Sequence, residues 1–307
     1  MRPPTEDAET DVTELLKEVR RIEVQSRRLV TDVMAGGYVS VFKGAGIEFD
    51  EVREHVEGDD PRAIDPSVTA RMGRPFVRTY VDERELTVLF LVDLSASMTG
   101  GFGIWSARET AARVCACLAV SAVRNGDKVG LVAFGDRVVR YVPPKKGLGH
   151  AMRLVRDTLA LPAAKGPTDP TAALELVART SRRRAIVFLV SDFLHDLAPR
   201  VLPLAARRHD VIAVRLLPPE LALGAAGLVR VRDPETGAET VLDTTGPRVR
   251  EAWARRVAAW RARTEASLSR AKVDLLDVPV PRAPGKDLVT GPILRFFRMR
   301  ESRGAKR

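Results

Sequence analysis

The chain has 307 residues, 45% of them hydrophobic, with 50 Lys and Arg against 40 Asp and Glu, a formal charge of +10 and a pI near 10.1. That length and apolar content suffice to bury one large α/β core with an accessory lobe, or two small domains, and they exclude a disordered tail. The opening MRPPTEDAETD lacks the apolar core of a secretory signal and no later stretch runs about 18 residues without a charge, so neither a leader nor a membrane span is expected.

Cys115 and Cys117 are the two cysteines, two apart in an alanine-rich apolar run where a helix would point them to different sides. They read as small buried fillers. No disulfide framework or zinc site can be built from them, which favours a reducing compartment, the cytoplasm. The basic balance suits a nucleic-acid or acidic-membrane partner, but arginine is scattered and aromatics are too sparse to interleave with it. Solvated helix faces are the preferred explanation.

In chain order, apolar positions from Val12 to Val33 recur at helical spacing, Gly36 and Gly37 stop the helix, and a mixture of short β-prone pieces and turns follows. Asp65 is placed as an N-cap with Pro66 at the first helical position. Residues 1–84 therefore form an accessory region, an amphipathic helix plus a small β-rich part. The run LTVLFLVD, ending at Asp93, has the unbroken apolarity of a strand buried on both faces. Helix from Trp105 to Arg124, strands VGLVAF and RVVRYV, and helix from Leu148 to Leu161 come next. A helix starting at Asp169-Pro170, the strand AIVFLVSD, a helix over Leu197–Arg207 and the strand VIAVRLL complete the alternation. This pattern predicts an α/β fold with a doubly wound, mostly parallel sheet, Rossmann-like, over residues 85–280. A hairpin around Asp233 to Gly237 and a long arginine-rich helix from Pro247 to Ala271 belong to it. Residues 281–307 are read as a C-terminal helix, Ile293–Arg300, and a basic tail.

In open α/β sheets, ligands gather outside the carboxyl ends of the strands. Two strands here end in aspartate. LVDLSAS puts Asp93, Ser95 and Ser97 at alternate positions, which an extended loop turns to one side; VSDF supplies Asp192, and the loop KGPTDPT supplies Thr168. All five candidates offer oxygen. Hard cations prefer such a set and zinc does not, so Mg²⁺ fits best, with Mn²⁺ or Ca²⁺ as substitutes. Two carboxylates and three hydroxyls leave no surplus anion, so an open coordination position would attract an incoming carboxylate. The plain alternative is that Ser95 and Ser97 cap the next helix and that Asp93 and Asp192 merely end their strands.

LVDLSASM, followed by PTD and VSDF, resembles the metal-ion-dependent adhesion site of von Willebrand factor A domains over about residues 84 to 217. SVFKGAGIEFDEVREHVEGDDPRAID with TARMGRPFVRTYVDERE closely resembles the hallmark of the bacterial domain-of-unknown-function family 58. The resemblance implies a metal held by Asp93, Ser95, Ser97, Thr168 and Asp192, and an adaptor or chaperone-like role beside a MoxR-type AAA+ ATPase or its client. The family commonly has tryptophan where Pro66 stands and tyrosine where His55 stands. Asp59, Asp60, Arg62 and Asp65 are equally compatible with a turn held by local ion pairs.

The expectation is a non-enzymatic protein, with two competitors. A Mg²⁺-dependent phosphohydrolase would also place an aspartate after a central strand, but Ser95 stands where its acid partner is needed. No P-loop occurs. A basic nucleic-acid-binding protein is the third reading. His195 lies three residues beyond Asp192 and is read as a surface side chain; Trp253 and Trp260, seven apart, share one face of the arginine-rich helix, with core packing as the default. The oligomeric state is not specified.

Overall fold

A computed structural model of the chain describes residues 48–56, 59–60, 63–81, 85–164, 166–195, 197–233, 237–285 and 287–304. The helix expected over Val12–Val33, its glycine stop, Arg62 and the last residues of the basic tail lie outside these. The described residues fall into two compact units, one within Val39–Glu85 and one within Leu86–Arg307.

In the first unit, β1 (Glu48–Glu54) pairs antiparallel with β2 (Phe76–Val81), and α1 (Pro66–Met72) lies between them in the chain. Asp65 caps α1 as its sequence predicts, accepting from the N–H groups of Ser67 and Val68, and Pro66 starts the helix without wasting a donor. Gly73, at φ 69°, closes the helix in the left-handed region. Arg53 grips Asp59 through two N–H···O bonds of 2.8 and 2.6 Å, which pulls the Asp59 carboxyl down to about 2. The acidic turn here is thus a local ion pair and a helix cap.

The second unit is built on six strands: β3 (Thr87–Asp93), β4 (Lys128–Phe134), β5 (Val138–Lys145), β6 (Ile186–Ser191), β7 (Asp210–Leu217) and, last in the chain, Asp274–Pro279. Between β7 and that last strand stand a hairpin, β8 (Leu228–Arg232) with β9 (Glu239–Asp243), and a long helix; the last strand is therefore β10. The sheet order is β10-β7-β6-β3-β4-β5, and every pairing is parallel except β4 with β5. The helices are α2 (Ala107–Arg124), α3 (Leu148–Ala160), α4 (Thr171–Thr180), α5 (Leu202–Arg208), α6 (Pro247–Arg270) and α7 (Thr290–Gly304). This is the α/β, mostly parallel architecture that the alternation predicts.

The side chains explain the order. β3 and β6, apolar over Val88–Val92 and Ile186–Val190, occupy the centre, with Phe90 and Phe188 stacked at 5.6 Å between ring centroids. Leu89, Leu91, Val187 and Leu189 pack with Leu174, Val177 and Leu202 of α4 and α5, while Ala112 and Ala116 of α2 pack on Val155 of α3. Gly130 has no side chain because a Cβ there would stand 2.9 Å from the Val142 carbonyl of β5.

Four details depart from the sequence reading. RVVRYV is an antiparallel edge strand, since the few residues after Phe134 are too short for a parallel crossover. β10 went unread because Asp274 and Asp277 break its apolar run; it is an edge strand and can leave those groups half-exposed. The helix expected from Leu197 starts only at Leu202, after Ala198 at φ 44° and the ring of Pro199. The C-terminal helix spans Thr290–Gly304 and packs on the α/β unit through buried Ile293, Phe296 and Phe297, with Arg300 bonded to Asp210 at 2.9 Å and Asp274 at 3.0 Å.

One fully buried guanidinium ties this edge of the sheet together. Arg215 of β7 bonds Asp277 of β10 at 2.7 and 2.9 Å and Glu265 of α6 at 2.8 Å. Removing a partner strands a buried charge, whereas removing the charge does not. Asp277→Ala is therefore expected to lower stability to urea by about 3 kcal/mol and Arg215→Met by less than about 1 kcal/mol. Equal losses would contradict this account of the cluster.

Candidate metal centre

β3 is where the sheet reverses its winding. The chain leaves it through α2 to β4 on one side, and later enters β6 on the other, so the crevice beyond Asp93 is the switch point where an open α/β sheet places ligands. The parallel register pairs Val92 with Val190 and so sets Asp93 beside Ser191, with Asp192 one step beyond.

Asp93 is fully buried. Its Oδ1 accepts the Ser95 N–H at 2.7 Å, and its Oδ2 accepts the Ser191 hydroxyl at 2.6 Å. The Ser95 and Ser97 hydroxyls are 3.0 Å apart, and the Ser97 hydroxyl acts on the Asp192 carboxyl. Asp192, 2% exposed, accepts the Leu194 N–H at 3.0 Å. Burial pushes its carboxyl up to about 6, and the charge of Asp93 adds to the rise, against the pull of the Leu194 N–H, the Ser97 hydroxyl and His195. Two carboxylates thus leave water side by side, an arrangement that costs free energy unless a positive charge comes between them.

The serines are not helix caps. Ser95 precedes a short 3₁₀ turn, Ala96–Thr99, and makes no side-chain capping bond; α2 is capped by Ser106 in a capping box with Glu109. Their hydroxyls are left for the site.

Thr168 arrives on the loop between α3 and α4. Arg108, 8% exposed, holds the start of that loop by donating to the Leu161 carbonyl at 2.6 Å, and the loop is fastened further by Ala164 N–H to Leu94 O at 2.7 Å and Asp169 N–H to Gly135 O at 2.8 Å. Gly135 admits this approach, since a Cβ there would overlap the Ala164 methyl at 2.2 Å. Thr168 is 7% exposed and its hydroxyl has no hydrogen-bond partner among the described residues. A buried, unpaired hydroxyl is costly unless a ligand completes it.

Hydrogen bonds thus join Asp93 to Ser95 and Ser95 to Ser97, Asp192 is close enough for Asp93 and Ser97 to act on its carboxyl, and Thr168 stands on a neighbouring fastened loop with no such bond to them among the described residues. Among the described residues no cluster of three or more His, Cys, Asp or Glu side chains could hold a metal. Any cation here has to rely on hydroxyls as well as carboxylates, and the all-oxygen donor set with an orphaned Thr168 Oγ1 suits a hard cation.

Two residues gain importance. Ser191 accepts the Phe193 N–H at 2.9 Å and lies 3.0 Å from His195 Nε2, which is 3.6 Å from Asp93 Oδ2. The single hydroxyl proton of Ser191 goes to Asp93, so the imidazole contact requires a hydrogen on Nε2. His195 is thus turned inward beside Asp93, not outward as its sequence context suggests. Serine, histidine and aspartate meet here, but not as a hydrolytic triad: one nitrogen faces both partners, and Ser191 is fully buried. A serine closing an apolar strand was the available signal for Ser191; its contact with Asp93 depends on the strand order.

Because burial raises the Asp192 carboxyl from 3.8 to about 6, the metal-free fold is penalised when that group is ionised. The associated stability is fully present below 3.8 and is lost as pH rises through about 6. Asp192→Asn should therefore stabilise the chelator-treated protein by about 1–3 kcal/mol at pH 8 and leave it unchanged near pH 3.5, measured by urea unfolding. Destabilisation at pH 8 would mean that Asp192 is a structural carboxylate.

The family model described as "Protein of unknown function DUF58" matches residues 51–263. An uncharacterized protein of Mycobacterium tuberculosis strain H37Rv is 31% identical over 285 residues, covering 91% of this chain and 89% of its own, and one of Mycobacterium bovis matches to the same extent. Among solved structures, the conserved hypothetical protein BatB from Bacteroides thetaiotaomicron is similar over 72% of this chain and 100% of its own at 18% identity and a TM-score of 0.44. The SpRpn10 VWA domain is similar over 68% of this chain and 94% of its own at 14% identity and a TM-score of 0.38. With the family model spanning most of both units and relatives aligned over nine-tenths of its length, the chain belongs to the DUF58 family.

Proposed function

We propose that this protein is a non-enzymatic, metal-dependent interaction module, holding a divalent cation, Mg²⁺ foremost, on Asp93, Ser95, Ser97, Thr168 and Asp192. The observation that carries the reading is the pair of buried, adjacent carboxylates beside an unpartnered buried hydroxyl. Asp93 and Asp192 supply the charge, Ser95, Ser97 and Thr168 supply neutral oxygens, and Ser191 with His195 fixes the Asp93 carboxylate. A bound cation would supply Lewis acidity toward an oxygen ligand from outside, and the partner chemistry this suits is a carboxylate. A MoxR-type AAA+ ATPase or its client is the proposed partner, on the strength of the family resemblance. A reducing, cytoplasmic setting suits the buried, unpaired Cys115 and Cys117, whose thiols burial pushes up, that of Cys117 to about 12.

Calorimetric titration with Mg²⁺ tests the site directly. The wild type is expected to bind at neutral pH, with affinity falling about tenfold per pH unit below about 6, where a proton competes for Asp192. Asp93→Ala should abolish binding, and association with the ATPase should require both Mg²⁺ and Asp93. Equal uptake by wild type and Asp93→Ala would dismiss the site; metal binding without association would dismiss the partner.

A further inference from the structure

The long helix α6 presents a second feature beside the Thr168 loop. Trp253, Arg256, Trp260, Arg263 and Arg270 return to one side of it at spacings of three, four and seven. Along that side run two adjoining cavities. One, of about 960 Å³, reaches from Thr168 and His195 to Arg263 and Arg270; the other, of about 420 Å³, continues past Leu194 to Arg256 and Trp253, and both share Leu194, Trp260 and Arg263.

The α6 side of the groove carries arginine charge. Glu251 pairs with Arg255 and Glu265 with Arg215, so α6 spends its own carboxylates elsewhere. Among the described residues neither Arg256 nor Arg263 makes an ion pair, and the one carboxylate lining the groove, Asp169, sits at the Thr168 end with Oδ1 accepting the Thr171 N–H at 2.8 Å. Its floor is apolar and pinned. Trp253 and Trp260 donate their indole N–H groups to the carbonyls of Glu220 at 3.1 Å and Phe193 at 2.8 Å, and Leu194 stands 57% exposed between them and the site.

We propose that this groove receives an extended acidic segment of a protein partner, carboxylates on Arg256 and Arg263 and an apolar side chain against Leu194 and Trp260. The direction of approach, toward Thr168 and the cation, rests on the function proposed above; the charge complementarity does not. Nucleic acid is the weaker fit, because the Trp260 ring already faces the Arg215 guanidinium at 5.3 Å and offers little platform for a base.

Fluorescence anisotropy on the full chain tests this, with a fluorescein-labelled decaglutamate peptide as probe and single-stranded DNA of equal length beside it, each with Mg²⁺ and with chelator. Arg256→Glu with Arg263→Glu should weaken peptide binding at least about tenfold. Arg183→Glu with Arg207→Glu, an equal charge change on exposed residues at the amino edge of the sheet, should change it less than about twofold. No peptide binding by the wild type, equal losses in both variants, or tighter binding of DNA with the same sensitivity would overturn the inference. Loss with the groove variant but not with chelator leaves the groove standing and removes the cation reading; loss with chelator but not with the groove variant does the reverse.

Discussion

The organisation of the carboxyl edge follows from two carboxylates forced out of water together. Asp93 ends β3 and Asp192 directly follows the neighbouring β6, so the parallel pairing brings both to the same edge of the sheet. Burial and the charge of Asp93 both raise the cost of ionising Asp192. The surrounding bonds compensate only in part. The Ser95 N–H, the Ser191 hydroxyl and the Leu194 N–H orient the oxygens, yet the Asp192 carboxyl is still pushed up to about 6. A divalent cation is the economical remedy, and the hydroxyls of Ser95, Ser97 and Thr168 are the neutral oxygens it would need.

The rest of the unit serves to hold that edge still. The Thr168 loop is fixed at three points, by the Arg108 side chain and by the carbonyls of Leu94 and Gly135, contacts that involve none of the other four candidate ligands. On the other flank, the indole of Trp260 is bonded to the carbonyl of Phe193, a residue held at φ 54° immediately after Asp192. The left-handed turn that redirects the chain after β6 is thereby linked to α6, and α6 is linked through Glu265 to the buried Arg215. The turn and α6 are connected by these contacts, and the arginine groove opens beside Thr168.

Much of this was legible in the sequence because burial on both faces writes a simple signature. LTVLFLVD reads as a central strand and AIVFLVSD as a buried one, and their terminal aspartates, with the spaced serines after Asp93, mark the candidate site. What stayed hidden depended on pairing. Ser191 looks like any small residue ending a strand until β6 is known to lie against β3, and His195 turns inward only because the backbone does so at Phe193. The direction of β5 and the existence of β10 were hidden for a related reason: edge strands bury one face, and their mixed composition resembles that of loops.

The most direct measurement is anomalous diffraction at the manganese edge from crystals of the full chain grown with Mn²⁺. The account predicts a difference peak bounded by the side-chain oxygens of Asp93, Ser95, Ser97, Thr168 and Asp192, absent from crystals of Asp93→Ala. Well-ordered wild-type crystals with saturating Mn²⁺ and no peak at this edge, or an undiminished peak in the variant, would contradict it.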